Sequence, residues 1–127
     1  MNRELIGKDA GVILEAAGVA AGVDTRLLIA DVDEAHPFLW TELMMPVMGV
    51  CRVPDVDTGI DFAREVEGGC FHTASMYSRN VEKLSRMARV CDCSIFVKNG
   101  PHYAGLGFGG EGYTSFTIAS PTGEGMT

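Results

Sequence analysis

Long apolar runs are missing from this chain of 127 residues. No stretch approaches the roughly 18 consecutive apolar residues of a membrane-spanning helix, and Met1 to Lys8 has no apolar signal-peptide core. Both absences argue against a membrane partner and predict a cytoplasmic address. Basic residues are also scarce: 10 Lys and Arg stand against 17 Asp and Glu, a formal charge of −7. Such a field repels polyanions, so nucleic acid is excluded as a partner. Cysteine spacing is the third lack. Cys70, His72, Cys91, Cys93 and His102 offer only C-x-H and C-x-C steps, tighter than the C-x₂₋₄-C pairs that structural zinc favours, so no metal site is expected. A chain this long and this apolar needs no disulfide framework, and the four thiols are read as reduced. There is no internal repeat.

What is present is an ordinary globular composition, 46% hydrophobic and 21% charged, at the length of one domain. Lys8 to Ala17 puts Val12, Ile13, Ala16 and Ala17 on one helical face, with Gly18 as the stop. Arg26 to Asp31 and Pro46 to Val53 read as strands, the first with the continuous apolar run expected when both faces are covered, the second as a buried strand. Asp57 is a candidate cap for a helix to about Val66, stopped by Gly68 and Gly69. After a strand from Phe71 to Tyr77, Ser78 is the candidate cap of an amphipathic helix. Its stripe of Val81, Leu84, Met87, Ala88 and Cys91 lies opposite Glu82, Lys83, Arg86 and Arg89. Ser94 to Lys98 is a further strand. Alternating strands and helices with short connections predict an α/β fold, a parallel sheet with helices on both faces. Asn99 to Gly112 reads as loop, and Tyr113 to Ala119 as a half-exposed strand.

Gly105 to Gly110 satisfies G-x-G-x-x-G, but a dinucleotide fingerprint needs a strand immediately before and a helix immediately after, and strand-like residues follow here. The glycines are better read as letting a loop pack closely on a neighbour. Cys91 and Cys93 are read as small core residues, and Cys70, two positions from His72, sits at no obvious activating feature. Two polar sites stand out. Glu42 opens an apolar turn and a proline that lead into a strand, and Lys98-Asn99-Gly100-Pro101 puts an amide at the C-terminal edge of a parallel strand, where open α/β sheets bind ligands.

Those two sites carry a resemblance. Glu42-Leu43-Met44-Met45-Pro46-Val47 resembles the E-[IL]-F-G-P-V motif of the aldehyde dehydrogenase superfamily, and Ile95 to Pro101 with Gly105 to Gly112 resembles its later V-N and glycine-rich stretches. FVKNGPxYAGLGxGGEGYTSFTIAxPTGEG, the opening MNRELIGKDA and Gly69-x-x-His72-Thr73-Ala74 are similar to the coenzyme A-acylating branch associated with bacterial microcompartments. The resemblance implies an incomplete aldehyde dehydrogenase catalytic-domain-like fold. It also implies oxidation of a short aldehyde, propionaldehyde or acetaldehyde, by NAD with acyl transfer to coenzyme A. Glu42 would contact the nicotinamide ribose, and Met44 stands where phenylalanine is usual beside the nicotinamide. His72, Asn99, Gly100 and Pro101 would line or support the substrate and coenzyme A pocket. No catalytic residue is assigned within the chain. The nucleophilic cysteine, the nucleotide-binding domain and the C-terminal oligomerisation strand of the family are expected outside residues 1–127, which implies a chain inactive alone and a homo-oligomer for the full-length enzyme. The implied address extends to the interior of a bacterial microcompartment. The competing expectation is a self-standing, non-catalytic binding or interaction module derived from that family. Either way, apolar surface exposed for want of neighbours should favour association.

Overall fold

The computed structural model describes residues 2–20, 22 and 24–109, so the strand expected over Tyr113 to Ala119 lies outside the described residues. Two compact units divide the chain, one ending at Arg52 and the other beginning at Val53.

In the first unit, a 3-10 turn at Arg3–Leu5 precedes helix α1 (Ala10–Ala16). Ala10 and Ile13 are its buried residues. Gly18 ends it as expected, with φ at 74°. The Gly18 N–H donates to the Glu15 carbonyl and the Val19 N–H to that of Leu14, both at 2.9 Å, which satisfies two carbonyls that the helix leaves open. Strands β1 (Leu28–Asp31) and β2 (Val47–Val50) pair in parallel, Leu28 against Val47 through Asp31 against Val50. A short helix, α2 (Pro37–Trp40), lies in the crossover between them. It was not anticipated from the sequence. Pro37 occupies its first turn, where a missing N–H costs nothing, and the His36 imidazole caps it by accepting from the Phe38 N–H at 3.1 Å. Gly49 of β2 admits this helix: a Cβ there would lie 3.0 Å from the Cβ of Phe38.

The expectation that β1 and β2 are covered on both faces is corrected. Exposure alternates along both strands, and Ile29, Met48 and Val50 lie open on one face. The helix against β2 covers only one face of a two-stranded sheet, so the apolar run of β1 has a solvent side.

The second unit builds its core from Ile60, Leu84, Cys91, Ile95 and Val97. Helix α3 (Val56–Val66) is capped by Asp55 and not by Asp57. Asp55 has the extended backbone a cap requires, and its carboxylate accepts from both the N–H and the hydroxyl of Thr58 at 2.9 Å. Helix α4 (Val81–Cys91), by contrast, starts later than expected: Asn80 is the cap, accepting from the Lys83 N–H at 3.1 Å, while the Ser78 hydroxyl accepts from the Asn80 N–H. Val81 is 71% exposed, so the inward stripe begins at Leu84. Lys83 and Arg86, off the apolar stripe, meet α3, with Lys83 Nζ 2.6 Å from Asp57 and an Arg86 nitrogen 2.6 Å from Asp61. Strands β3 (Thr73–Met76) and β4 (Ile95–Lys98) pair in parallel, Thr73 against Ile95 through Met76 against Lys98, with α4 in the crossover. Among the described residues each unit thus holds a two-stranded parallel sheet, β1 with β2 in the first and β3 with β4 in the second.

Two tests follow from these contacts. A Cβ at Gly105 would drive into the Ile95 side chain. Gly105→Ala should therefore cost about 1–3 kcal/mol by overpacking, read as a lower urea midpoint; an unchanged midpoint would refute the close packing. The Asp55 carboxyl is held below its ordinary value, first by the Thr58 N–H and then by the Thr58 hydroxyl. Its contribution is present above about pH 4 and lost as pH falls through the lowered folded value. The stability gap between the parent chain and Asp55→Asn should shrink below that pH, whereas a gap constant from pH 6 to pH 3 would contradict the cap.

Candidate functional site

The C-terminal edge of the β3–β4 sheet is where sequence and structure converge. The ladder continues one step past the strands, the Asn99 N–H donating to the Met76 carbonyl at 3.0 Å. Asn99 then turns into the left-handed region, φ 52°, which asparagine tolerates better than most residues. That turn brings its amide onto Ser78: Oδ1 accepts from the Ser78 N–H at 2.8 Å, and Nδ2 donates to the Ser78 carbonyl at 3.0 Å. The side chain thus acts as an extra strand residue, closing both backbone groups of the loop after β3. Gly100 follows close to Val97, and Pro101 leads into a 3-10 turn at His102–Leu106. The His102 Nε2 lies 2.8 Å from the Ser75 hydroxyl on β3.

His72 is at the other end of the sheet. Its carbonyl accepts from the Ile95 N–H at 3.0 Å, and its Nδ1 lies 2.5 Å from the Thr73 hydroxyl. Four strand residues at about 3.3 Å each separate that level from Asn99, roughly 13 Å. The structure therefore gathers Asn99, Gly100 and Pro101 and holds His72 apart from them. The turn before His72 is organised by Glu67. Its carboxylate accepts from the Gly69 and Phe71 N–H groups and pairs with Arg64 at 3.0 Å, and the Arg64 guanidinium stacks 4.6 Å from the Phe71 ring. Gly68, Gly69 and Phe71 all have positive φ there, so a half-buried carboxylate collecting the Gly69 and Phe71 N–H groups has a clear structural use.

In the first unit Glu42 is exposed and Met44 is 65% exposed. Met44 also has positive φ, 51°, and its carbonyl accepts from the Gly7 N–H at 3.0 Å. With Lys8, Asp9, Thr25 and Arg26 it lines an open groove of about 950 Å³. Glu42 is not among the groove's lining residues.

The thiols fall into two pairs. Cys91 is 1% exposed, and burial pushes its thiol up. Burial pushes the half-buried Cys93 thiol up too, and its Sγ donates to the Ile95 carbonyl at 3.0 Å. Cys91 is the small core residue the sequence suggested, whereas Cys93 is only half-buried. Cys51 is half-buried and Cys70 exposed. Of the G-x-G-x-x-G run, Gly105 lies in the 3-10 turn and Gly107 just after it, so the described part is not a strand-to-helix phosphate loop. Gly110 lies outside the described residues. Among the described residues no three His, Cys, Asp or Glu side chains converge to hold a metal ion, and no helix is long and apolar enough to cross a membrane.

The residues that sequence reasoning missed are Ser75, Ser78 and Glu67. His102 was weighed only as a metal ligand. The contacts of Ser75, Ser78 and His102 with this edge depend on strand register, which leaves no local signature, whereas Glu67 acts on its own turn at the other end of the sheet.

No protein-family profile matches the chain. Individual proteins do. All 127 residues align at 54% identity with the acetylating acetaldehyde dehydrogenase EutE of Escherichia coli. The propionaldehyde dehydrogenase of Rhodopseudomonas palustris, solved with coenzyme A bound and a cysteine acylated, superposes over 98% of the chain at TM-score 0.87 and 49% identity. The chain matches a segment of the acylating aldehyde dehydrogenases. The propionaldehyde dehydrogenase of a Clostridium phytofermentans fucose-utilisation microcompartment superposes over the whole chain at TM-score 0.89 and 42% identity. The segment is short: the chain spans 27% of the EutE sequence and 28–29% of the two solved acylating dehydrogenases. The α/β fold of the acylating dehydrogenases is thereby established for it, as the sequence resemblance implied.

The edge itself yields a graded test. Asn99→Ala loses both bonds to Ser78 and places alanine at positive φ, so it should cost about 1–3 kcal/mol. Asn99→Gly loses the bonds but relieves the backbone, and should cost less. Equal losses in urea denaturation would show that backbone strain plays no part.

Proposed function

We propose that these residues form part of an NAD-dependent, coenzyme A-acylating dehydrogenase of short aldehydes, propionaldehyde or acetaldehyde. In this reading they frame the nicotinamide ribose and the acyl acceptor's path but do not supply the nucleophile. The observation that carries the reading is the superposition, over nearly the entire chain, on an enzyme trapped with coenzyme A and an acylated cysteine.

NAD supplies the hydride acceptor when bound. The residues here fit its nicotinamide end: an exposed carboxylate at Glu42 can accept from ribose hydroxyls, and the open Met44 thioether offers a polarisable contact to a flat ring. The His102–Leu106 turn is too short a 3-10 segment to offer a helix N-terminus to the pyrophosphate, and in this reading another part of the enzyme holds that end. Asn99 has already committed its amide to Ser78, so it shapes the pocket wall while Gly100 and Pro101 line it. His72, a strand length away, fits an extended ligand such as the pantetheine arm of coenzyme A better than it fits a small aldehyde. A homo-oligomeric enzyme, cytoplasmic or housed in a bacterial microcompartment, completes the reading; the microcompartment source of one solved relative supports it.

Thioester chemistry needs an accessible thiolate. Cys91 and Cys93 are disqualified by burial that favours the neutral thiol. The purified chain, given propionaldehyde, NAD and coenzyme A, should produce no NADH, and mass spectrometry should find no acyl adduct on any of the four cysteines. An adduct on Cys70 or Cys51 would sink the assignment of the nucleophile to another segment. Coenzyme A titrated into the labelled chain should shift the amide resonances of Gly100 and His72; no shift at either would count against the pocket.

A further inference from the structure

The turn that carries Gly100 and Pro101 is held on the sheet at several points. Gly105 lies against Ile95, and Gly100 lies near Val97. Ser75 is the register partner of Val97, so its side chain leaves β3 on the same face of the sheet. The His102 imidazole meets the Ser75 hydroxyl there at 2.8 Å, across 27 residues of sequence. Within the turn the Ala104 N–H donates to Pro101 at 2.9 Å and the Gly107 N–H to Ala104 at 3.0 Å. These bonds are local, so they shape the turn without attaching it to the sheet. Attachment falls to the glycine contacts, which are apolar and unoriented, and to His102, which fixes direction. A hydroxyl both donates and accepts, so the bond forms with either imidazole tautomer and with the imidazolium.

We propose that His102, through Ser75, is a positioning residue that latches the segment after β4 onto β3 and so sets where Gly100 and Pro101 stand in the pocket. The proposal rests on the pocket reading above for its functional meaning, and on the Ser75 contact alone for its mechanics. Neither residue is placed in contact with a ligand.

Amide hydrogen exchange on the chain tests the latch. Losing one net hydrogen bond should speed exchange at Ala104 and Gly107 roughly five-fold in His102→Ala and in Ser75→Ala. The double variant should be no faster than either single one, and His102→Gln, whose amide can still reach a hydroxyl, should restore much of the protection. The Ile95 amide, bonded to His72 across the ladder, serves as the folding control and should not change. Unchanged exchange at Ala104 and Gly107, or additive effects in the double variant, would overturn the latch. The parent chain's Gly100 shift with coenzyme A should be lost in His102→Ala, and its persistence there would also overturn the proposal. If coenzyme A shifts Gly100 in no form of the chain while exchange follows the expected pattern, the pocket assignment fails and the latch stands.

Discussion

Parallel pairing of β3 with β4 is the constraint on which the second unit depends. A parallel pair cannot be closed by a hairpin, so the chain must leave the C-terminal edge of β3, cross through α4 and return to the N-terminal edge of β4. The loops at the C-terminal edge then have backbone groups with no strand to pair with. Asn99 resolves this by using its side chain as backbone, closing the N–H and the carbonyl of Ser78 at once. The same residue that ends the ladder therefore fixes the loop opposite it, and the chain leaves the sheet at Gly100 from that closure.

Backbone strain marks the same regions. Met44, Phe71, Asp92 and Asn99 are the non-glycine residues with positive φ among the described residues. Asp92 caps α4, a routine use. The other three flank or form the segments proposed above to face ligands, and each is held by a specific bond: the Gly7 N–H on the Met44 carbonyl, the Glu67 carboxylate on the Phe71 N–H, the Asn99 amide on Ser78. Strain of this kind persists only where the surroundings over-determine it.

The sequence made the interiors of elements readable and left their edges and long-range ties obscure. Leu84 and Cys91 on α4 and the apolar run of β4 were visible because periodicity reports burial directly. The caps shifted by two residues, to Asp55 and Asn80, because several cap-competent side chains sit together and only backbone geometry chooses among them. Helix α2 was hidden because Pro37 reads as a strand terminator and a histidine cap is not a usual signal. The exposure of Ile29 and Met48 could not be read from an apolar run, since hydrophobicity does not say whether the covering layer belongs to the same segment. Of the site, Asn99 was found through its place at a strand end, whereas its partner Ser78 and the His102–Ser75 pair depend on register across more than twenty residues.

The proposed role is that of the ligand-framing part of an acylating dehydrogenase whose thiol lies elsewhere in the enzyme. Fragment complementation tests it most directly: the Escherichia coli EutE chain with its matching segment deleted, co-expressed with this chain, assayed for coenzyme A-dependent NADH formation from acetaldehyde. Activity should be restored by this chain and lost with Glu42→Gln. Co-purification of the two pieces without any activity, or activity indifferent to Glu42, would contradict it.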